Sequence, residues 1–542
     1  MQPRKKAVFS LLAALACANL VLRFPSSSHE MGIDSFVWHG MATSLVSHNY
    51  ALWILSPLSY LGLYPLSQPS GTPFLTAAVS LVYGGPLEGS ILAVDMVTAI
   101  VGMLGAFCLG REFSREGSLP LLFAAVFSLS PIIVSGLTWQ VPTRLMFTTL
   151  LPFVLWTLIR LYRAPDWRYI SFLATELLLM ASFHRLAVFV ALVVVAYLFT
   201  RLALVILRTL RIKNPGLFLR PRFVRITPLL AVVALLGISG ATLATTHVLD
   251  EYSEGVIASD SSLSAELVNL AVSLARSSGL LLPMGFVGLF GVAMRRNRDV
   301  REPFVIVALF TFAPLLFIRN YTGYYTVPFT SLFIAYGVLS ASAHFRKAVW
   351  RRIAIGAAVV LLISSSAIIS EYNLVATTSM ADSTYTLGLF VKDTSHGTVI
   401  ANDGLTGARI HAISGVPYLP VGGATTAFQS PELLMFRFLD AANVSNMIFL
   451  VPFSQLTLES DSTYVLVNVQ AEADWAQIQL SSVDAIPARY DIYNVGYAIE
   501  LHSLVSEYTA YGNVYPSLLL SSASSSRYIV YQDSTVNVFL LR

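Results

Sequence analysis

Apolar runs recur along the first 370 positions, separated by short polar stretches. A helix rises 1.5 Å per residue, so crossing a hydrocarbon core of about 30 Å takes roughly 20 apolar residues. The pattern predicts spans at 7–23, 89–109, 118–136, 145–162, 169–183, 186–207, 227–246, 276–293, 304–318, 326–343 and 353–370. Two further apolar pieces, 51–65 and 72–84, are interrupted by Pro57, Pro65, Pro69, Gly71 and Pro73 and read as interfacial or re-entrant helices. After residue 370 long runs give way to alternation. The stretches 462–470 and 528–541 alternate as strands do, and 430–442 reads as a helix with Ser430 as N-cap and Glu432 in its first turn. The expected fold is a polytopic α-helical membrane protein of about 11 transmembrane helices (1–370, with a first outer loop at 24–88). A C-terminal extracytoplasmic α/β domain follows at 371–542.

Composition supports that division. Of 542 residues, 55% are hydrophobic and only 12% charged, against about 25% charged in soluble domains. An ordinary cytosolic enzyme, a disordered chain and a nucleic-acid binder are thereby excluded. Cys17 and Cys108 both lie in apolar runs, which speaks against a disulfide framework or a cysteine zinc site.

Charge gives an orientation. Within 1–370, 23 of 28 Lys and Arg fall on one side of the predicted spans, beginning with Arg4, Lys5 and Lys6. By the positive-inside rule that side is the cytoplasm of a plasma-membrane protein, and the chain beyond 370 is outside. The tail carries 15 of the 30 acids but 6 of the 34 Lys and Arg. A signal peptide over 1–18 is the competing reading of the first run, and its cleavage would leave the remaining topology unchanged. The basic loop 208–225 suits anionic membrane lipid rather than nucleic acid.

The first outer loop holds the candidate chemistry. Glu30 and Asp34 are four apart and would share one face of a helix over 29–47, with Ser28 as its cap and His29, His39 and His48 nearby. A carboxylate at a membrane surface can take a proton from a hydroxyl or bind a divalent cation. The alternative is a pair of solvated helix residues.

The segments GIDSFVWHGMATSLVS (32–47) and LSYLGLYPLSQPSGTPFL (58–75), together with the topology, resemble the GT-C superfamily of polytopic glycosyltransferases. That resemblance implies a polyprenyl-phosphate-linked sugar donor, inverting transfer on the outer face, and an essential acid in the first outer loop. Asp34 is then the first catalytic candidate, as general base or as ligand of Mg2+ or Mn2+, and Glu30 the second. The acceptor would be a glycan, lipid or protein. Residues 397–423 are loosely similar to the region where oligosaccharyltransferases carry a WWD motif, which is absent here, and the second outer loop LTWQVPTR (137–144) lacks an acidic pair. Both departures put metal use and protein N-glycosylation in question.

A lipid-phosphate donor needs cations near the outer edge. Arg144, Arg185 with its neighbour His184, and Arg319 are the candidates, since arginine binds phosphate bidentately; snorkelling to headgroups is the plainer account, and the one adopted for Arg23 and Arg276. Asp95 and Glu176 lie within spans, where a carboxyl lines a cavity or ties two helices together. The acids of loop 247–272 read as solvated, and Tyr321, Tyr324 and Tyr325 as an interfacial belt. A transporter or lipid flippase, or a non-catalytic assembly protein, are the rival functions.

Overall fold

The computed structural model describes residues 3–32, 34–51, 54–55, 63–65, 68–114, 118–213, 274–294, 301–312, 322–371, 379–394, 398–401, 404–416, 418–419, 495–501, 528–532 and 536–540. They fall into two compact units. The first comprises Met1–Pro25, Asp95–Thr138 and Pro142–Asn373, and the second Ser26–Val94, Trp139–Val141 and Leu374–Arg542.

The helices of the first unit are α1 (Pro3–Leu22), α4 (Leu87–Phe113, whose first turns belong to the second unit), α5 (Ser118–Ser128), α6 (Pro131–Ser135), α7 (Thr143–Arg163), α8 (Trp167–Phe183) and α9 (Val190–Lys213). A 3₁₀ turn at Arg185–Phe189 leads into α9. They continue as α10 (Leu282–Ala293), α11 (Arg301–Thr311), α12 (Thr322–Ala343) and α13 (Ala348–Ser370). Among the described residues five helices are long and apolar enough to cross a membrane: Leu87–Phe113, Thr143–Arg163, Leu274–Ala293, Gly323–Ala343 and Ala348–Ser370. The protein is a multi-pass, mostly helical membrane protein. The predicted run 227–246 lies outside the described residues, as do the end of 304–318 and the acidic loop 247–272.

One predicted span is two helices. The run 118–136 breaks after Ser128 because Pro131 has no N–H and its ring would strike the carbonyl of Phe127, four residues back. A break frees carbonyls that lipid cannot satisfy, and here side chains take them. Ser130 Oγ donates to Phe127 O at 2.8 Å, Arg23 Nη2 to Ser128 O at 2.8 Å, and Ser366 Oγ on α13 to Leu129 O. Arg23 is therefore fully buried, not snorkelling. Its Nη1 also donates to Asn19 Oδ1 at 2.8 Å, and the equally buried Asp95 carboxylate acts on it electrostatically.

Two other carboxylates tie helices of this unit together. Glu176 on α8 accepts from Thr157 Oγ1 on α7 at 3.0 Å. Glu112 on α4, 2% exposed, receives Arg160 Nε at 2.6 Å and Arg163 Nη1 at 2.8 Å from α7. Helices α10 and α12 cross at backbone contact: a Cβ added at Gly288 would stand 1.8 Å from Phe333 O, and one at Gly337 1.9 Å from Met284 O. Small residues at a crossing allow such approach in membranes.

The second unit contains α2 (Asp34–His48), a two-stranded ribbon of β1 (Ile54–Leu55) and β2 (Leu63–Tyr64), and α3 (Gly71–Tyr83). Later come α14 (Asp382–Thr394), β3 (Thr398–Ala401), α15 (Gly404–Ser414), β4 (Tyr418–Leu419), β5 (Val495–Leu501), β6 (Tyr528–Gln532) and β7 (Val536–Leu540). A five-stranded sheet runs β4-β3-β5-β7-β6, parallel as far as β5 and antiparallel from β5 onward. The strand pattern over 528–541 is realised as two antiparallel strands, β6 and β7. The predicted helix 430–442 and strand 462–470 lie outside the described residues.

Candidate functional site

The helix predicted over 29–47 starts five residues later, at Asp34, so Glu30 precedes it, shares no helical face with Asp34, and Ser28 caps nothing. Two reasons are visible. Gly32 sits at φ +95°, outside the helical region, and a Cβ there would stand 2.8 Å from Gln140 Oε1. The chain is also pinned to the loop 137–144, where Met31 N–H donates to Trp139 O at 2.9 Å. Trp139 itself holds a left-handed φ of 48°, unusual for a bulky residue, and its indole N–H donates to Glu88 O at 2.9 Å.

Glu30 is fully buried. One carboxylate oxygen accepts from Ser35 Oγ and the other meets His39 Nδ1. Ser35 Oγ in turn accepts Val141 N–H at 2.6 Å, and Met380 N–H donates to the Glu30 carbonyl at 3.3 Å. Burial draws the His39 imidazole toward its neutral form, but the charge and hydrogen bond of Glu30, helped by the charge of Glu88, outweigh it and raise its pKa above the ordinary 6.5. Asp34, the first residue of α2, is half-buried. A carboxylate at that position is favoured by the helix dipole.

Helix α2 is packed on several sides. Trp38 and Met41 join Ile91 and Val141 in one apolar cluster, and Ala42 and Leu45 join Ala77 of α3 in another. Thr43 Oγ1 donates to Ala412 O of α15 at 2.7 Å. From the same helix, Arg409 lies 5.2 Å above the Phe36 ring and the His411 ring lies against Gly40. His411 Nδ1 is 2.9 Å from Val416 O, and burial pushes its pKa below 6.5, with the charge of His39 acting the same way.

A second group lies beside Glu30. The His29 ring stacks on Tyr385 of α14 (centroids 3.9 Å apart, planes at 17°), with Nε2 3.2 Å from Asp382 Oδ1 and Nδ1 3.8 Å from Glu88 Oε2. Burial lowers the His29 pKa, while Asp382, by charge and hydrogen bond, pulls it back up.

The second unit thus gathers Glu30, Asp34 and His39. The predicted cations belong to the first unit: Arg144 is half-buried on the first turn of α7, and His184 is buried at the end of α8. Arg185 opens the 3₁₀ turn; its side chain and the whole of Arg319 lie outside the described residues. Asp95 is the buried neighbour of Arg23. Among the described residues no three His, Cys, Asp or Glu stand together as a metal-ligand set. Both Glu30 oxygens are already engaged, by Ser35 and His39. Arg409, Trp139 and Tyr385 were not singled out from the sequence. Arg409 and Trp139 carried a signal, their places within the stretches 397–423 and 137–144.

No family model and no curated protein matches the chain in sequence. Solved structures match it in fold. The archaeal oligosaccharyltransferase AglB from Archaeoglobus fulgidus, in complex with an inhibitory peptide and a dolichol-phosphate, aligns with 100% of this chain and 75% of its own at 11% identity, TM-score 0.58. The Archaeoglobus enzyme is also known with Zn and sulfate. ArnT from Cupriavidus metallidurans, bound to undecaprenyl phosphate, aligns over 99% of this chain and 97% of its own at 12% identity, TM-score 0.54. The arabinofuranosyltransferase AftD from mycobacteria aligns over 98% of this chain and 40% of its own at 15% identity, TM-score 0.50. The chain has the GT-C fold.

Proposed function

We propose that this chain, with the fold of GT-C glycosyltransferases, moves a glycosyl group from a polyprenyl-phosphate-linked donor to an acceptor nucleophile at the outer membrane face. Asp34 is the general base. It takes the acceptor proton as the acceptor attacks the anomeric carbon; the bond from that carbon to the phosphate oxygen breaks, and polyprenyl phosphate leaves with the bonding pair. Inversion follows from a single displacement. Arg144, Arg185 and Arg319, with His184, are the cations assigned to the departing phosphate. The region 371–542 positions the acceptor.

What carries the reading is Asp34 itself, a half-buried carboxylate opening a helix whose start is held from both outer loops. Dolichol-phosphate and undecaprenyl phosphate are bound by the structural neighbours and support the donor class. The test is glycosyl transfer by purified wild type and Asp34→Asn, with native lipid extract as donor source. Loss of transfer by about 10²–10⁴-fold is expected; full activity in a folded Asp34→Asn variant ends the assignment. Adding EDTA separates the two roles of Asp34, since a ligand of Mg2+ or Mn2+ would lose activity and a general base would keep it.

A further inference from the structure

The hold on the start of α2 comes from residues other than Asp34. Ser35 and His39 are four apart, hence neighbours on one helical face, and one carboxylate grips both. Ser35 Oγ passes the hold on to Val141 N–H, on the second outer loop. Glu30 has no exposed surface with which to meet a substrate.

We infer that Glu30 is a positioning residue for Asp34: through Ser35 and His39 it fixes the first turn of α2 and exchanges no proton with the acceptor. This rests on Asp34 as the reacting carboxylate. It departs from the expectation that Glu30 is the second catalytic acid, because both its oxygens are spent inside the fold.

The chemistry of the hold gives it a pH dependence. A buried carboxylate needs a compensating charge, and protonated His39 supplies one. The groups facing His39 are Glu30 from the segment before α2, Glu88 from α4 and His411 from α15; Arg409 of α15 covers Phe36 one turn earlier. The charge and hydrogen bond of Glu30 keep His39 protonated beyond pH 6.5, and the hold slackens once the pH passes the raised pKa.

The experiment reads residue 34 directly. In full-length protein carrying Cys17→Ser and Cys108→Ser, a thiol at Asp34→Cys is labelled in lipid nanodiscs with a charged methanethiosulfonate. Its rate is normalised to that of Tyr50→Cys, which is 60% exposed. Adding Glu30→Gln or His39→Asn is expected to raise the normalised rate at pH 6–7 by at least threefold, and Ser35→Ala by less. The same ratio rises on alkalinisation beyond the raised pKa of His39 only where Glu30 and His39 are both present. Unchanged rates in all three variants overturn the inference.

Transfer kinetics with Asp34 intact give the second readout. Glu30→Gln is expected to lower kcat at nearly constant KM, leaving the acid limb of the pH profile in place. A Glu30→Gln variant as inactive as Asp34→Asn, with labelling at residue 34 unchanged, would make Glu30 the reacting group and overturn the inference. Full transfer by Asp34→Asn would instead sink the assignment of Asp34, whatever the labelling showed about the hold.

Discussion

Gly40 of α2 and His411 of α15 meet ring against backbone: a Cβ on residue 40 would stand 2.5 Å from His411 Cδ2. His411 is 7% exposed and its ring has little room to yield. Gly40→Ala is therefore expected to destabilise the protein by about 1–3 kcal/mol, the usual cost of overpacking. A lowered thermal unfolding midpoint in detergent, with transfer lost in parallel, is the expected result. An unchanged midpoint would mean that α15 does not pack here.

His411 and His39 also give stability opposite slopes with pH. The folded pKa of His411 is lowered, so the unfolded chain binds more protons below about pH 6.5 and stability falls on acidification. For His39 the folded pKa is raised; its contribution is full below about pH 6.5 and is lost as pH rises through the folded value. Unfolding midpoints measured from pH 5 to 9 should fall away on both sides. His411→Asn is expected to flatten the acid side most, and His39→Asn the alkaline side most, with a smaller change on the opposite side because the charge of His39 acts on His411.

At the crossing of α10 and α12 the neighbouring atoms are backbone and cannot swing aside. Gly288→Ala and Gly337→Ala should each cost at least about 1–3 kcal/mol. Gly356 on α13 has nothing within 4 Å of its added Cβ, and Gly356→Ala should instead stabilise by about 0.5–1 kcal/mol through helix propensity. Thermal midpoints of the three variants, compared in one detergent, test the contrast.

Arg23→Met removes a buried cation that donates to the Ser128 carbonyl and acts by its charge on the buried Asp95. Taking one partner from such a pair costs about 3–5 kcal/mol. The expected outcome is poor recovery of monodisperse protein. The double variant Arg23→Met with Asp95→Asn should recover part of the loss, since no charge is then stranded.

Periodic burial was legible in the sequence because each span writes its own length into the chain. The described helices of the first unit fall on predicted runs, and five of them are long and apolar enough to cross a membrane. The break in 118–136 was missed although Pro131 signalled it, because hydropathy alone does not register a lost N–H. Asp34 and Glu30 were found as residues, but their separation was misread: Gly32, which stops the helix from reaching back, was treated as one more helical position. Ser35 and His39 lie within nine residues of Glu30, but the longer ties of this site were beyond local reading. Val141 lies 106 residues from Ser35, and Met380 and Arg409 lie hundreds of positions from Glu30 and Phe36, which they touch. Such contacts are fixed by topology, and spacing does not encode them.

The break between α5 and α6 bears on the order in which the protein can be built. Its carbonyls are answered by Arg23 from the first span, Ser130 from the break itself and Ser366 from α13. A chain emerging from the ribosome carries the first two long before the third. Until α13 enters the bilayer, the Leu129 carbonyl lacks the Ser366 hydroxyl that donates to it. The earliest part of the membrane domain is thus completed by one of the last spans to be made, and a chain truncated before Ser366 should be retained by quality control.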